Sequence, residues 1–462
     1  MAKTKLPPGH QYKAFKGQAY PNQVQYQYLM RCIGCSRYIY NALLHLMEYR
    51  YHWQQGDQAA LAKLKVRPDL QGLYGLVQLK EYKDEYAKES YNTGPNKAFL
   101  SYLVSCLKSH EDKPWLHEAP RDALTYAVDG LVAAFTAFYE LVKQKKHIGP
   151  DGLIGFPNYK SRHGKLSFRM PAKETRLYQS SGETKLHKLK LPQCKVLTEE
   201  FGDLRIKGLR KLQGRYLSVA IRLTKAGDWM VSVLTDIKKQ VRPLGFGSVG
   251  IDLSAQRQEV GYCYDGYNHF KLSQLEPLPP AILPLEARIK HLQQSLARKT
   301  KGSYRWKDLK IRIAKANRRL KALYEGYYHR MTNWLVSRYD SMIIEDLDAK
   351  GMLQKVHSGL AKLIQDSRFR MFRDLLLYKL LETESGLLGI ADRYYPSSQL
   401  CSHCGIKPKA KMPLHVREWT CEACGTVHHR DFNAASNLYA LHDQLALIEP
   451  GKREMWLLPY SI

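Results

Sequence analysis

The chain has 462 residues, length enough for two or three domains, and carries 72 Lys and Arg against 43 Asp and Glu, a formal charge of +29. So large a positive excess points to a polyanionic partner, and 31 Tyr offer ring faces on which unpaired bases stack. No apolar run approaches the roughly 20 residues of a spanning helix and residues 1–9 hold no apolar signal core, which argues against a membrane or secreted class and for a cytoplasmic protein.

In chain order, Tyr12 to Lys16 reads as a strand, and Tyr20-Pro21-Asn22 places a capping residue before a helix. From Gln23 to about Lys146 the pattern is helical. Leu29, Ile33, Leu43, Leu44 and Leu46 form one apolar set; Leu103, Leu107, Trp115 and Leu116 form a second; residues 123–142 hold a third. Lys143 to Lys146 and the breaker run Gly149-Pro150-Asp151-Gly152 close this region. A basic, strand-rich stretch continues to about Pro243, where residues 216–223 and 229–234 read as a hairpin around Ala226-Gly227-Asp228. A small β-barrel of the oligonucleotide-binding kind fits there, although strands alone do not separate barrel from sandwich.

Next, Val249-Gly250-Ile251-Asp252-Leu253 reads as a buried strand, and Asp265-Gly266 as the turn of a hairpin. Leu285, Ile289, Leu292 and Leu296 share one helix face, and Leu309, Ile313, Ala316, Leu320 and Leu323 another, joined by the basic residues Arg298 to Ser303. The charged outer face of that helical pair is either solvated or laid on a nucleic-acid backbone. The excess of Lys and Arg over acids from Arg298 to Lys321 favours the second. A second buried strand, Ser341 to Glu345, ends in an acid, and Asp431 opens a helix rich in Ala, Asn and Leu.

Asp252, Glu345 and Asp431 are the candidate catalytic residues. Each alone has a bland explanation: a turn residue, a solvated strand end, a helix cap. Three acids brought to one end of a mixed sheet, however, form an oxygen site for two hard divalent cations such as Mg²⁺, which activate water and stabilise the leaving oxygen of a phosphodiester. No Ser-His-Asp set or phosphate-cradling Gly-Lys loop competes with this reading.

Cys401-x2-Cys404 and Cys421-x2-Cys424 have the spacing of a four-cysteine zinc site, in which thiolates close a tetrahedral shell, so the metal is structural. Gly405 and Gly425 follow the two pairs, as knuckle turns require. Cys32 and Cys35 fall within a helix and read as buried side chains. Cys106, Cys194 and Cys263 are isolated, and an odd total of nine without framework spacing argues for a reducing compartment.

These motifs together resemble the TnpB proteins of insertion sequences, relatives of type V CRISPR effectors, over nearly the whole chain. The resemblance is carried by Tyr20-Pro21-Asn22 with Gln25, Gly34-x2-Arg37-Tyr38-Ile39-Tyr40-Asn41, Pro114-Trp115-Leu116, and Gly155-Phe156-Pro157-Asn158-Tyr159-Lys160. It continues through Gly250-Ile251-Asp252-Leu253, Ile344-Glu345-Asp346-Leu347 with Gly351-Met352, and Pro396-Ser397-Ser398-x2-Cys401-x2-Cys404-Gly405. Arg417-x3-Cys421-x2-Cys424-Gly425 and Arg430-Asp431-x-Asn433-Ala434-Ala435-x-Asn437-Leu438 complete it. Ser254 departs from the family's usual Gly, and His429 from the usual acid before Arg430.

The resemblance implies an α/β multidomain protein. A helical recognition lobe (23–148) would be flanked by the parts of an oligonucleotide-binding-like wedge barrel (1–22 and 149–245). An RNase H-like (RuvC) nuclease domain (246–395, helical insertion 281–338) would be followed by a zinc ribbon (396–426) and a last nuclease segment and tail (427–462). It places Asp252, Glu345 and Asp431 at the catalytic Mg²⁺ positions and Cys401, Cys404, Cys421 and Cys424 at the Zn²⁺ positions. The implied activity is RNA-guided cleavage of double-stranded DNA beside a short flanking motif by a monomer, with a guide RNA from the element's own transcript. A miniature type V CRISPR effector, a guided DNA-binding repressor or a transposase accessory protein shares much of this pattern.

Overall fold

The computed structural model describes residues 7–64, 66–78, 96–144, 148–149, 152–171, 176–179, 186–192, 202–210, 212–239, 241, 245–254, 259–346, 369–383, 386–408, 413, 415–446 and 456–458. Cys194, Leu347, Gly351, Met352, residues 145–146 and residues 150–151 lie outside them. The chain forms two units, Met1–Lys238 and Lys239–Ile462.

In the first unit, β1 (His10–Tyr20) runs into a long helix, Gln23–Gln55. Asn22 caps it: the Asn22 Oδ1 accepts from the Gln25 amide at 2.8 Å, and the Gln25 side chain accepts from the Asn22 amide at 3.0 Å. Gly56, in the left-handed region at φ 69°, ends it. Helices Gln58–Lys63, Gln71–Gln78, Lys97–Lys108 and Arg121–Lys143 follow. Ala123, Leu124, Ala127, Val128, Leu131, Phe135 and Phe138 lie three or four residues apart and are buried, and their helix packs on Gln23–Gln55 and on the sheet. By length and composition this helix could cross a membrane, although its sequence holds no unbroken apolar run of that length. Here its apolar stripe is part of the unit's core.

A short hairpin, β2 (Ile148–Gly149) and β3 (Gly152–Leu153), precedes β4 (Leu166–Pro171), β5 (Arg176–Gln179), β6 (Leu186–Lys190), β7 (Asp203–Lys207), β8 (Arg215–Leu223) and β9 (Trp229–Lys238). With β1 these last six build an antiparallel sheet in the order β4-β8-β9-β1-β7-β6-β5. The expected hairpin at Gly227 is β8–β9, and β1 is the central strand. Among the described residues the order has two ends, β4 and β5, so the expected barrel is seen as an open seven-stranded pairing.

The second unit is a mixed sheet of β10 (Ser248–Leu253), β11 (Gly261–Tyr264), β12 (His269–Lys271), β13 (Ser341–Glu345), β14 (Leu387–Ala391) and, after β15 (Glu418–Thr420) and β16 (Val427–His429), β17 (Trp456–Leu458). Its order is β12-β11-β10-β13-β14-β17, with β10, β13, β14 and β17 parallel. Parallel strands need crossover connections. Helices Ile282–Ala297 and Tyr304–Val336, the expected basic helical pair, lie between β12 and β13, and Phe369–Leu380 lies between β13 and β14.

Helix Arg430–Ala440 packs on β10 and β11 at a contact that only glycine permits. A Cβ on Gly250 would lie 2.3 Å from the Ala435 carbonyl oxygen and 2.4 Å from the Tyr439 nitrogen, both backbone atoms. Gly250→Ala should therefore push the helix off the strand and destabilise the second unit by about 1–3 kcal/mol, the usual cost of overpacking. Urea unfolding followed by tryptophan fluorescence would measure this, and an unchanged midpoint would contradict it.

Candidate metal and carboxylate centre

Register places the first two acids. β10 and β13 pair in parallel through Ile251 and Ile344, so the next residues, Asp252 and Glu345, stand side by side at the carboxyl ends of adjacent strands, roughly 4.8 Å apart along the hydrogen-bonding direction. Their side chains share a hydrogen bond. Burial, then the neighbouring Glu345 and Asp431 charges, pushes the Asp252 carboxyl well above its ordinary range. Burial raises Glu345 too, against the opposing pull of hydrogen bonds from Ser397 and Asp252 and of the Arg430 charge. Both shifts favour the protonated form of the pair over that of two separate carboxylates.

Asp431 is the second residue of helix Arg430–Ala440 and not its cap; His429 is the cap and makes no side-chain capping bond. Its carboxylate lies in the first turn, where the helix dipole favours negative charge. Arg417 Nη1 donates to both Asp431 oxygens, at 3.0 and 2.7 Å. The structure therefore joins Asp252 to Glu345 directly and brings Asp431 close enough for its charge to act on both, while its oxygens face Arg417.

The four cysteines come together more tightly. Among the described residues they are the only group of three or more ligating side chains whose ligand atoms all lie within 4.8 Å of one another. Cys401 and Cys424 sulfurs are 3.7 Å apart, as are those of Cys404 and Cys421. The knuckles repeat one geometry: the Gly405 amide donates to the Cys401 carbonyl at 2.9 Å and the Gly425 amide to that of Cys421 at 2.8 Å, with φ of 74° and 72°. Hydrogen bonding with the Thr426 side chain and backbone pushes the Cys424 thiol down to about 6. Cys32 and Cys35 are buried helix residues, and all eight described cysteines are free.

Three residues near these groups, Ser397, Asn433 and Asn437, stand in the motifs quoted above but had no role assigned to them. Ser397 Oγ donates to Glu345 Oε1 at 2.5 Å. Asn433 and Asn437, both buried, donate to the Leu400 carbonyl at 2.7 Å, and Asn437 also to the Ser397 carbonyl at 2.7 Å. The spacing Asn433-x3-Asn437 puts both amides on one helix face.

In the first unit a cleft of about 380 Å³ is lined by Lys16, Lys160, Lys165, Arg169 and Arg222 with Ser36, Ser167, Ser232 and Tyr126, and by no acid. Two of the sequence motifs meet beside it: Asn41 Oδ1 accepts from the Lys160 amide at 2.8 Å and Asn41 Nδ2 donates to the Lys160 carbonyl at 3.0 Å. Burial, reinforced by Lys165, pushes the Lys160 ammonium down to about 8. A concave, acid-free cationic surface suits a phosphate backbone.

Residues 369–438 match the family model described as "Cas12f1-like, TNB domain", and residues 11–56 one described as "Helix-turn-helix domain". A "Putative RNA-guided DNA endonuclease" of Streptomyces pristinaespiralis is 28% identical over 433 residues, which is 93% of this chain and 89% of that protein. A "TnpB-like protein" of Acanthamoeba polyphaga mimivirus is 27% identical over 141 residues, 30% of this chain and 26% of its own length. Over most of its length the chain is similar to proteins named as putative RNA-guided DNA endonucleases. A solved Cas12f1 complex with sgRNA and target DNA superposes at a TM-score of 0.45 and 12% identity, covering 93% of this chain and 99% of that one.

The raised carboxyls make a signed prediction. Above about pH 4, where the unfolded acids ionise, the native pair still binds a proton, so the native state binds more protons and stability falls as pH rises towards the raised values. In chelator, Asp252→Asn should raise the melting temperature at pH 7 and flatten its decline between pH 4 and 7. Thermal melts across that range would check it, and an unchanged slope would contradict it.

Proposed function

We propose that this chain is an RNA-guided DNA endonuclease that cuts double-stranded DNA by metal-dependent phosphodiester hydrolysis. The observation that carries the reading is the Asp252–Glu345 pair at the ends of two parallel strands, with Asp431 supplied by the helix packed over Gly250. Support comes also from relatives of nearly the full length that bear that name. On this reading residues 246–395 and 427–462 form the RuvC-like nuclease domain, 396–426 its zinc ribbon, 23–148 the recognition lobe, and 1–22 with 149–245 the wedge domain.

The donor chemistry fits the two metals. Carboxylate oxygens that already share a proton are set to exchange it for a hard divalent cation, and Mg²⁺ is the natural choice for an all-oxygen site facing phosphate. A tetrahedron with zinc–sulfur bonds of about 2.3 Å has sulfur–sulfur edges of about 3.8 Å, close to the 3.7 Å seen here, so Zn²⁺ fits the four cysteines. His428, with Nε2 3.0 Å from Cys401 Sγ, would donate to that thiolate from outside the shell.

When bound, a pair of Mg²⁺ ions lowers the pKa of the attacking water and neutralises the leaving oxygen. The protein's part is placement. Asp252 and Glu345 would release a proton to bulk water and present adjacent oxygens to the metal, Ser397 holds one oxygen of Glu345, and Asp431 projects from the helix amino terminus. The charge of +29 and the cationic cleft supply sequence-independent affinity for RNA and DNA backbones, while guide pairing supplies sequence choice and the protein reads a short flanking motif. The guide is a transcript of the same mobile element, and the protein works in the cytoplasm as a monomer.

Replacing any one of Asp252, Glu345 or Asp431 by Ala should reduce cutting of a guide-matched duplex by at least about a thousandfold while guided binding persists, and the triple variant should be scarcely worse, because the ligands act as a unit. Parallel cleavage and gel-shift assays would test this. Near wild-type cutting by folded, guide-loaded Glu345→Ala would refute the shared site and leave a guided DNA-binding protein.

A further inference from the structure

We infer that Ser397 is a positioning residue for Glu345, held in place by Asn437 and Asn433, so that the segment leading into the four-cysteine module sets the geometry of the carboxylate centre. The inference rests on the carboxylate metal site proposed above.

The chain of contacts is continuous. Glu345 is the last residue of β13, where a carboxylate without a donor could sample several rotamers. Ser397 Oγ fixes it at 2.5 Å, and Ser397 is itself buried. Its backbone has no strand or helix to hold it, since it falls in the turn between β14 and Cys401. Backbone bonds close the turn, with the Gln399 and Leu400 amides donating to the Pro396 carbonyl at 2.9 Å, and side chains tie it to the helix: Asn437 Nδ2 bridges the Ser397 and Leu400 carbonyls, each at 2.7 Å, Asn433 Nδ2 reaches Leu400 at 2.7 Å, and Asn433 Oδ1 accepts from the Ser402 amide at 2.9 Å. Both Asn residues project from the helix that also carries Asp431. One helix thus places Asp431 directly and Glu345 through the turn. Donors behind a ligating carboxylate fix its orientation, and their loss commonly costs about 10–100-fold in metal affinity.

The test is Mn²⁺ binding, with Mn²⁺ as a spectroscopically visible substitute for Mg²⁺, followed by electron paramagnetic resonance on the full-length protein as purified. Asp252→Ala sets the background. Ser397→Ala should weaken the Mn²⁺ binding that Asp252→Ala abolishes by about tenfold or more, with zinc content and melting temperature in chelator unchanged. Asn437→Ala, which removes no carboxylate contact, should show the same weakening. Ser397→Ala with Mn²⁺ affinity within twofold of wild type would overturn the inference, and Asn437→Ala binding normally would overturn the role of the turn. If Asp252→Ala bound Mn²⁺ as well as wild type, the carboxylate site itself would fail, a distinct result.

Discussion

The second unit depends on an electrostatic conflict between two neighbouring acids. Parallel pairing of β10 with β13 leaves Asp252 and Glu345 side by side in a partly buried site. Two unit charges about 4 Å apart at an effective dielectric near 20 repel by about 4 kcal/mol, several times the net worth of an ordinary hydrogen bond. This repulsion, with burial, pushes both carboxyls toward their protonated forms, and Arg430 lies nearby while Arg417 pairs with Asp431. On the proposed reading, a bound divalent cation would take the place of that proton.

The conflict persists because the surrounding packing fixes it. Gly250 lets helix Arg430–Ala440 lie directly on β10, which fixes where Asp431 starts and where Asn433 and Asn437 reach. The Arg430 amide donates to the Arg417 carbonyl at 2.7 Å, and β15 pairs with β16, so the hairpin carrying the second cysteine pair is tied to the same helix start. Carboxylates and cysteines therefore share one support, and looseness in either would be felt by the other.

Much of this was legible in the sequence because it is local. The Asn22–Gln25 capping box, the turns at Gly227 and Asp265-Gly266, the helical pair around Arg298–Ser303 and the cysteine knuckles each depend on residues a few positions apart. The three acids were legible as strand-end and helix-start residues, and the geometry adds where they sit: Asp252 pairs inside β10, Glu345 accepts from Ser397, and Asp431 lies inside its helix. What could not be read is long-range. Ser397 meets Glu345 across 52 positions, and Asn433 meets Leu400 across 33. The central place of β1 and the open order of the first sheet likewise depend on pairings, such as that between His10 and Lys238, that no periodicity encodes.

The most direct test of the central claim probes the scissile phosphate. A guide-matched duplex carrying a single-isomer phosphorothioate at the cut position would be incubated with the RNA-loaded protein in Mg²⁺, then in Mn²⁺ or Cd²⁺, which accept sulfur as a ligand. If the carboxylates hold metal against the reacting phosphate, one isomer is cut far more slowly in Mg²⁺ and recovers with the softer ions. Equal cutting of both isomers in Mg²⁺, with no rescue, would contradict the account.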